Sequence, residues 1–536
     1  MSGGDSEALM QDWFTDNHGT FEQYVRTMTE LHAEEFKICT TCEQKPWFSF
    51  FFDGTGNNKR LDASTKRWSN IARLFEGHIS DGPLVDKRYY EGVGTPFDSS
   101  DPGWIDFVRD SEMLGGAAGA GGDARIKHAL ADLDTLLARN HRVVRIDIAI
   151  FGFSRGAALA RAFVNRILEK CEYRNSQPCW PCRTALDGRA APIHFRFLGI
   201  FDTVESVGVP SHNLTDMNMV VPDAVENCLH LVAAHEIRTA FALTRLGSTD
   251  ERHREIVYPG VHSDVGGGYR PGEQHRSDIL ARLSLNRMRL EAVLAGVPFT
   301  PPGLLSSSVA AMFGYDRTVK DGFDEYMHTI DVTGTLEEQI LAHMRPYYGW
   351  LSVRYNTDPC EVYVGICTVP TDGMTDSEKL AHTKAEEELA KLRLSLSSID
   401  PQASDLNWRS YMRAVANSNP IEYRELVKLT GEPAPLSPEE QAYYGAWLNP
   451  PKLSANLLRF FDTYVHDSRA GFTVPIVRGL YLTRRLIIDP SRGIPATAPR
   501  SASAIQMVDG SVSATEDGSP CISGQPPQLG APVSRQ

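Results

Sequence analysis

The chain has 536 residues, of which 42% are hydrophobic, 23% charged and 9% aromatic, with a formal net charge of −14. That length accommodates two or three cores, and the composition is that of a folded globular protein rather than a disordered one. The acidic balance excludes a general nucleic-acid binder, whose phosphate contacts require a basic surface, and disfavours broad adhesion to anionic lipid.

Residues 1–45 read as a polar, helical extension. Their opening, MSGGDSEALMQDWFTDNHG, has neither a basic n-region nor an apolar h-region, so no Sec signal is expected. No window approaches the roughly 18 apolar residues of a membrane-spanning helix, and synthesis in the cytoplasm as a soluble protein is expected. WFSFFFDGTGNN (Trp47 to Asn58) then predicts a buried strand ending in a glycine-bearing loop. Further strands are expected at RVVRIDIAIF (Arg142 to Phe151), IHFRFLGIF (Ile193 to Phe201) and HREIVY (His253 to Tyr258). Helical patterns lie between them, one of them following the glycine-rich run at Gly115 to Gly122. Strands alternating with helices predict an α/β fold with a mostly parallel, doubly wound sheet over residues 46–275, its chemistry at the carboxyl ends of the strands.

Residues 276–490 are mostly helical in pattern. Thr375 and Glu378 predict a capping box, and Leu453, Leu457, Phe460, Phe461 and Tyr464 share one helical face, a core stripe in preference to a lipid-facing one. Residues 491–536, rich in Ser, Pro, Gly, Ala and Thr, read as a disordered tail. The nine cysteines include CTTC (Cys39, Cys42) and CWPC (Cys179, Cys182), too far apart for a compact zinc ribbon. CWPC sits in a polar, proline-bearing insertion that does not suit a redox motif, so structural thiols are expected, with local disulfides or a metal as the alternatives.

Gly152-Phe153-Ser154-Arg155-Gly156 fits the nucleophile-elbow pattern G-x-S-x-G, with the β-like run before it and Ala157, Ala158, Ala160 and Ala162 after it that the pattern requires. An ordinary glycine turn is the bland alternative. A serine nucleophile needs a histidine base and a carboxylate to orient it, expected in the order Ser, Asp, His. FLGIFDTVESVG places Asp202 one residue past an apolar run, with Glu205 as its rival and a turn cap as the structural alternative. YPGVHSDVGGGY places His262 in a glycine-rich loop, with His235, His253 and His466 as alternatives. The oxyanion donors are expected to be the Arg155 amide and one from DGTGNN, at Gly54 or Thr55. That loop also reads as a tight turn; it lacks the Lys-Ser/Thr ending of a phosphate loop.

Together, FFDGTGNN, GFSRGAALARAF, FLGIFDTVESVG and YPGVHSDVGGGY resemble the α/β-hydrolase-like catalytic domain of type VI secretion system phospholipase effectors, the first class of GxSxG lipase effectors. The resemblance covers about residues 45–275, with a weaker likeness in FFDTYVHDSRAGF. It implies a serine phospholipase A with a Ser154, Asp202, His262 triad, acting on an sn-1 or sn-2 ester of membrane glycerophospholipid, with no metal or organic cofactor. It also implies delivery into a rival bacterium's periplasm, loading on a spike protein, neutralisation by a cognate immunity protein, and a helical cap or membrane-contacting part after residue 275. The competing readings are a soluble carboxylesterase that never meets a bilayer and a non-catalytic interaction protein that keeps the hydrolase fold.

Overall fold

A computed structural model describes residues 43–94, 118–205, 218–238, 241–330, 332–359, 374–398, 408–418, 420–431, 433–434, 436–468, 487–488 and 490. The expected N-terminal helix, Cys39 and Cys42, the beginning of the glycine-rich run at Gly115, and the tail from residue 491 lie outside the described residues.

The first strand, β1 (Trp47–Phe52), is buried throughout. Side chains alternate across a strand, so Phe48, Phe50 and Phe52 enter one core while Trp47 and Phe51 enter the other. Then come α1 (Asn70–Gly77), β2 (Val85–Tyr90), α2 (Ala118–Leu137), β3 (Ile146–Phe153), α3 (Arg155–Lys170), β4 (Glu172–Arg174), β5 (Gln177–Pro181), β6 (Ala190–Phe201), β7 (Cys228–Ala233), β8 (Leu243–Thr244) and β9 (His253–Tyr258). The main sheet runs β2-β1-β3-β6-β7-β9, every neighbouring pair parallel. β5 and β4 extend it as an antiparallel hairpin at the amino end of β6. Because β2 and β3 flank β1 on opposite sides, the winding direction reverses there, and a crevice is expected beyond the carboxyl ends of β1 and β3.

The expected strands are present, with shifted ends. β3 starts later than the pattern suggests and runs through Gly152 and Phe153, because these two residues still pair with Ile200 and Phe201 of β6. Two strands of the main parallel sheet are additions. β2, VDKRYY, is an edge strand whose polar residues mask its character, and β7, CLHLVA, is a short apolar run with a histidine in its middle. That His230 is fully buried, with Nδ1 3.0 Å from Glu255 Oε1 and Nε2 accepting from the Thr203 amide at 3.0 Å. The insertion bearing CWPC is not merely polar loop. Asn175 and Ser176, both at positive φ, make the two-residue turn that suits a twisted hairpin. Cys171, Cys179, Cys182 and Cys228 are free thiols, and among the described residues no cluster of His, Cys, Asp and Glu is arranged to hold a metal ion.

After β9 the chain is helical: α4 (His262–Gly266), α5 (Ala281–Leu294), α6 (Ser307–Phe313), α7 (Arg317–His328), α8 (Leu336–Thr357), α9 (Asp376–Ser397), α10 (Trp408–Ser418), α11 (Pro420–Thr430), α12 (Pro438–Leu448) and α13 (Ala455–Tyr464), with β10 (Ile487–Ile488) pairing β8. Thr375 and Glu378 form the expected capping box at the start of α9. Helices α2 and α3 pack on one face of the sheet, α1 and α5 on the other.

Leu457, Phe460, Phe461 and Tyr464 of α13 are buried. Phe460 stacks on Tyr326 at 5.1 Å and Phe461 on Trp350 at 5.4 Å, so the stripe is core. It belongs to the same continuous apolar interior as Phe51, Phe151 and Phe197 of the sheet. No helix among the described residues is long and apolar enough to cross a membrane. Replacing the fully buried Phe461 by Ala is expected to lower stability by about 3–5 kcal/mol, read by chemical denaturation. A loss below about 1 kcal/mol would mean the stripe is not packed core.

Candidate active site

The strand-to-helix turn after β3 is held in a conformation that side chains seldom adopt. Ser154 has φ 57° and ψ −125°, in a sparsely populated region that costs on the order of 1–3 kcal/mol. Its amide still donates to Phe201 O at 3.0 Å, continuing the sheet ladder, while its carbonyl accepts from Ala157 at 3.0 Å to start α3. The flanking glycines make this possible. A Cβ on Gly152 would lie 2.5 Å from Gly156 O, and one on Gly156 would lie 2.3 Å from Phe52 O, so any larger residue forces the helix off the strand ends. The pattern G-x-S-x-G is thus a packing requirement in this chain.

Asp202 is likewise the first residue beyond β6 and also has positive φ, 42°. It is wholly buried, and both carboxylate oxygens are in use. Oδ1 accepts from the Ala233 amide at 2.9 Å, and Oδ2 lies 2.5 Å from Nδ1 of His262. The partner at Nδ1 is Asp202, the residue that Glu205 rivals in sequence. His262 is not in an open loop as expected. It opens the single helical turn α4, because Asp264 Oδ2 accepts the Val261 amide at 3.0 Å and closes the turn ahead of the glycines. The ring lies between Phe153, at 4.6 Å, and Phe241, at 5.0 Å. Phe153 immediately precedes Ser154, so the elbow and the histidine are in direct contact. Burial pulls the His262 imidazole below its ordinary 6.5, against the opposing pull of Asp202. With Nδ1 donating to Asp202, Nε2 is left as the basic nitrogen.

The loop after β1 faces this pair. Arg155 Nε donates to Thr55 Oγ1, tying the loop to the first residue of α3. The Gly54 amide donates to Asp53 Oδ1 at 2.7 Å. Asp53 also accepts from Ser69 Oγ at 2.8 Å and Tyr89 OH at 2.5 Å. Burial lifts its carboxyl to about 7 despite these three donors. Asp53 carries no sequence signal beyond its place one residue past β1, the place that Asp202 holds past β6.

The other histidines have different partners. His253 Nε2 is 2.8 Å from Val225 O. His235 Nδ1 accepts from the Gly260 amide at 3.0 Å, and burial holds it well below its ordinary value. His466 Nδ1 is 2.6 Å from Asp264 Oδ1. The described residues thus bring Ser154, Asp202, His262, Arg155, Gly54 and Thr55 to the carboxyl ends of β1, β3 and β6, beside the reversal in winding. A hydroxyl, a basic nitrogen and backbone amides grouped in this way are equipped for acyl transfer.

The family model for the type VI secretion system phospholipase effector, Tle1-like, catalytic domain matches residues 48–178 and 172–291. No curated protein matches the chain. Among solved structures, an uncharacterized protein from Pseudomonas aeruginosa is similar at 21% identity, over 87% of this chain and 82% of that one, with a TM-score of 0.57; this shows a shared fold. A Tle1 effector bound to the VgrG spike of the type 6 secretion system aligns at 18% identity over 56% of this chain and 84% of that one, with a TM-score of 0.38. Residues 48–291 are therefore similar to the catalytic domain of the Tle1-like phospholipase effectors of the type VI secretion system.

Proposed function

We propose that this protein is a serine phospholipase A that cleaves acyl esters of membrane glycerophospholipids with Ser154 as nucleophile, His262 as base and Asp202 as its orienting carboxylate. The observation that carries the reading is the 2.5 Å contact of Asp202 Oδ2 with His262 Nδ1, buried beside a serine at φ 57°. His262 Nε2 takes the Ser154 proton as the oxygen attacks the ester carbonyl. The developing oxyanion is met by the Arg155 amide and by the Gly54/Thr55 loop, with Thr55 the preferred donor because the Gly54 amide already serves Asp53. His262 then protonates the leaving lysophospholipid alkoxide, activates a water, and the acyl-enzyme releases a fatty acid.

Delivery to the periplasm of a rival bacterium, loading on a spike protein and neutralisation by an immunity protein belong to the same proposal. So does a role for residues 276–490 as a helical module packed on the hydrolase core and turned towards lipid.

Ser154→Ala is expected to lower fatty-acid release from phospholipid vesicles by about 10³–10⁶-fold and to abolish fluorophosphonate labelling. Near-normal release would sink the assignment. Mass spectrometry of the products from a phospholipid with two different acyl chains reads the position cleaved; activity confined to monomeric esters would favour a soluble esterase.

The pH profile gives a second test. A protonated His262 cannot accept the serine proton, so activity falls as pH drops through its pKa, and burial places that pKa below 6.5. The acid limb of kcat/KM is expected to have its midpoint below 6.5, with a plateau at neutral pH. A midpoint above 6.5 would contradict His262 as the buried base.

A further inference from the structure

The turn that carries His262 is too short to hold itself. α4 has five residues, and a single helical turn has no independent stability in water. Its entry is fixed by His235, which exchanges two 3.0 Å bonds with Gly260. Its exit is fixed at Val265 O, which accepts from Asn70 Nδ2 at 2.9 Å and Ser284 Oγ at 2.7 Å. Between these points lies Asp264, whose carboxylate caps the turn and also reaches a segment 202 residues further along the chain. Its Oδ1 accepts from His466 Nδ1 at 2.6 Å and its Oδ2 from the His466 amide at 3.0 Å.

His466 is fully buried and stacks on Tyr269 at 3.9 Å, with the planes 12° apart, so its ring has one orientation. The residues that follow reinforce the same contact. The Asp467 amide donates to Gln274 Oε1 at 2.8 Å. Ser468 Oγ donates to Glu236 Oε1 at 3.1 Å, and Glu236 Oε2 accepts the His262 amide at 3.4 Å. Two residues from beyond α13, His466 and Ser468, therefore strap the turn that carries His262, each through a carboxylate bonded within it or to it, and Asp467 between them ties the same segment to Gln274.

We propose that His466 is a positioning residue for the phospholipase reaction: its Nδ1–H, acting through Asp264, sets the turn so that the His262 ring meets Asp202 and Ser154. The inference rests on the triad reading above. It gives His466 a part in the reaction without contact with the reacting atoms.

The geometry supplies its own control. An Asn side chain places its amide nitrogen where Nδ1 stands in histidine, whereas Gln places it where Nε2 stands. Full-length His466→Asn, His466→Gln and His466→Leu would be compared with wild type by fatty-acid release from phosphatidylethanolamine/phosphatidylglycerol vesicles, by the rate and stoichiometry of fluorophosphonate labelling at Ser154, and by thermal melting. His466→Asn is expected to keep kcat within about threefold, while His466→Gln and His466→Leu lose about 10–100-fold in kcat and in labelling rate with KM unchanged.

A purely structural role would instead lower the labelled fraction of all variants in step with melting temperature, leaving the rate per labelled molecule intact, and that result overturns the proposal. Equal rates for Asn and Gln overturn it too, and this pair decides the matter if His466→Leu does not fold. A wild type that is not labelled at Ser154 removes the triad reading and this inference together; a labelled wild type with Asn and Gln alike removes this inference alone.

Discussion

The parallel pairing of β3 with β6, Phe153 against Phe201, sets two chemical groups on one level, because Ser154 and Asp202 are each the first residue past its strand. The pairing extends beyond the strands themselves: the Ser154 amide bonds Phe201 O and the Asp202 amide bonds Leu231 O. A slip of one residue would turn every side chain of a strand to the other face and separate the pair. Both residues have positive φ, and this strain is tolerated because the buried sheet over-determines their backbone. His262 comes to this fixed edge from outside the sheet, which is why its own turn needs so many fastenings.

Four carboxylates around that edge are buried and hydrogen-bonded through both oxygens. Asp53, Asp202 and Asp264 each use both carboxylate oxygens, and Glu236 holds Arg238 through two oxygens at 2.9 and 2.8 Å. In a low-dielectric interior an unpaired polar group is costly, so a network with its bonds made adopts one arrangement instead of several. Such preorganisation is what stabilising a developing oxyanion requires. The arginine of the elbow joins in: the Arg155 side chain holds Thr55 while its own amide opens α3, so the two sides of the expected oxyanion pocket are cross-linked.

Much of this was legible in the sequence, and the misses have physical causes. Gly152 and Gly156 announce the elbow because close approach of helix and strand leaves no room for a Cβ, and that constraint is local. Asp202 is visible because it ends an apolar run. β2 was hidden by its place at the sheet edge, where Asp86, Lys87 and Arg88 replace the alternation of a half-buried strand. β7 was hidden for the opposite reason, since a short run buried on both faces has no periodicity to read. The pairing of His466 with Asp264 has no local signature at all. In the sequence His466 is one more histidine, and its partner is defined by the packing of α13 against the rest of the core.

That long separation bears on when the molecule becomes complete. A chain is synthesised from its amino terminus, and contacts distant in sequence close late. A nascent chain that has emerged as far as α8 already contains Ser154, Asp202 and His262, and the sheet that holds the first two can form. It still lacks the donor at His466 that fastens the third, along with the aromatic stripe of α13 that closes the interior over Tyr326 and Trp350. The last stretch to leave the ribosome among the described helices is thus the one that finishes the candidate catalytic edge begun by the first strand.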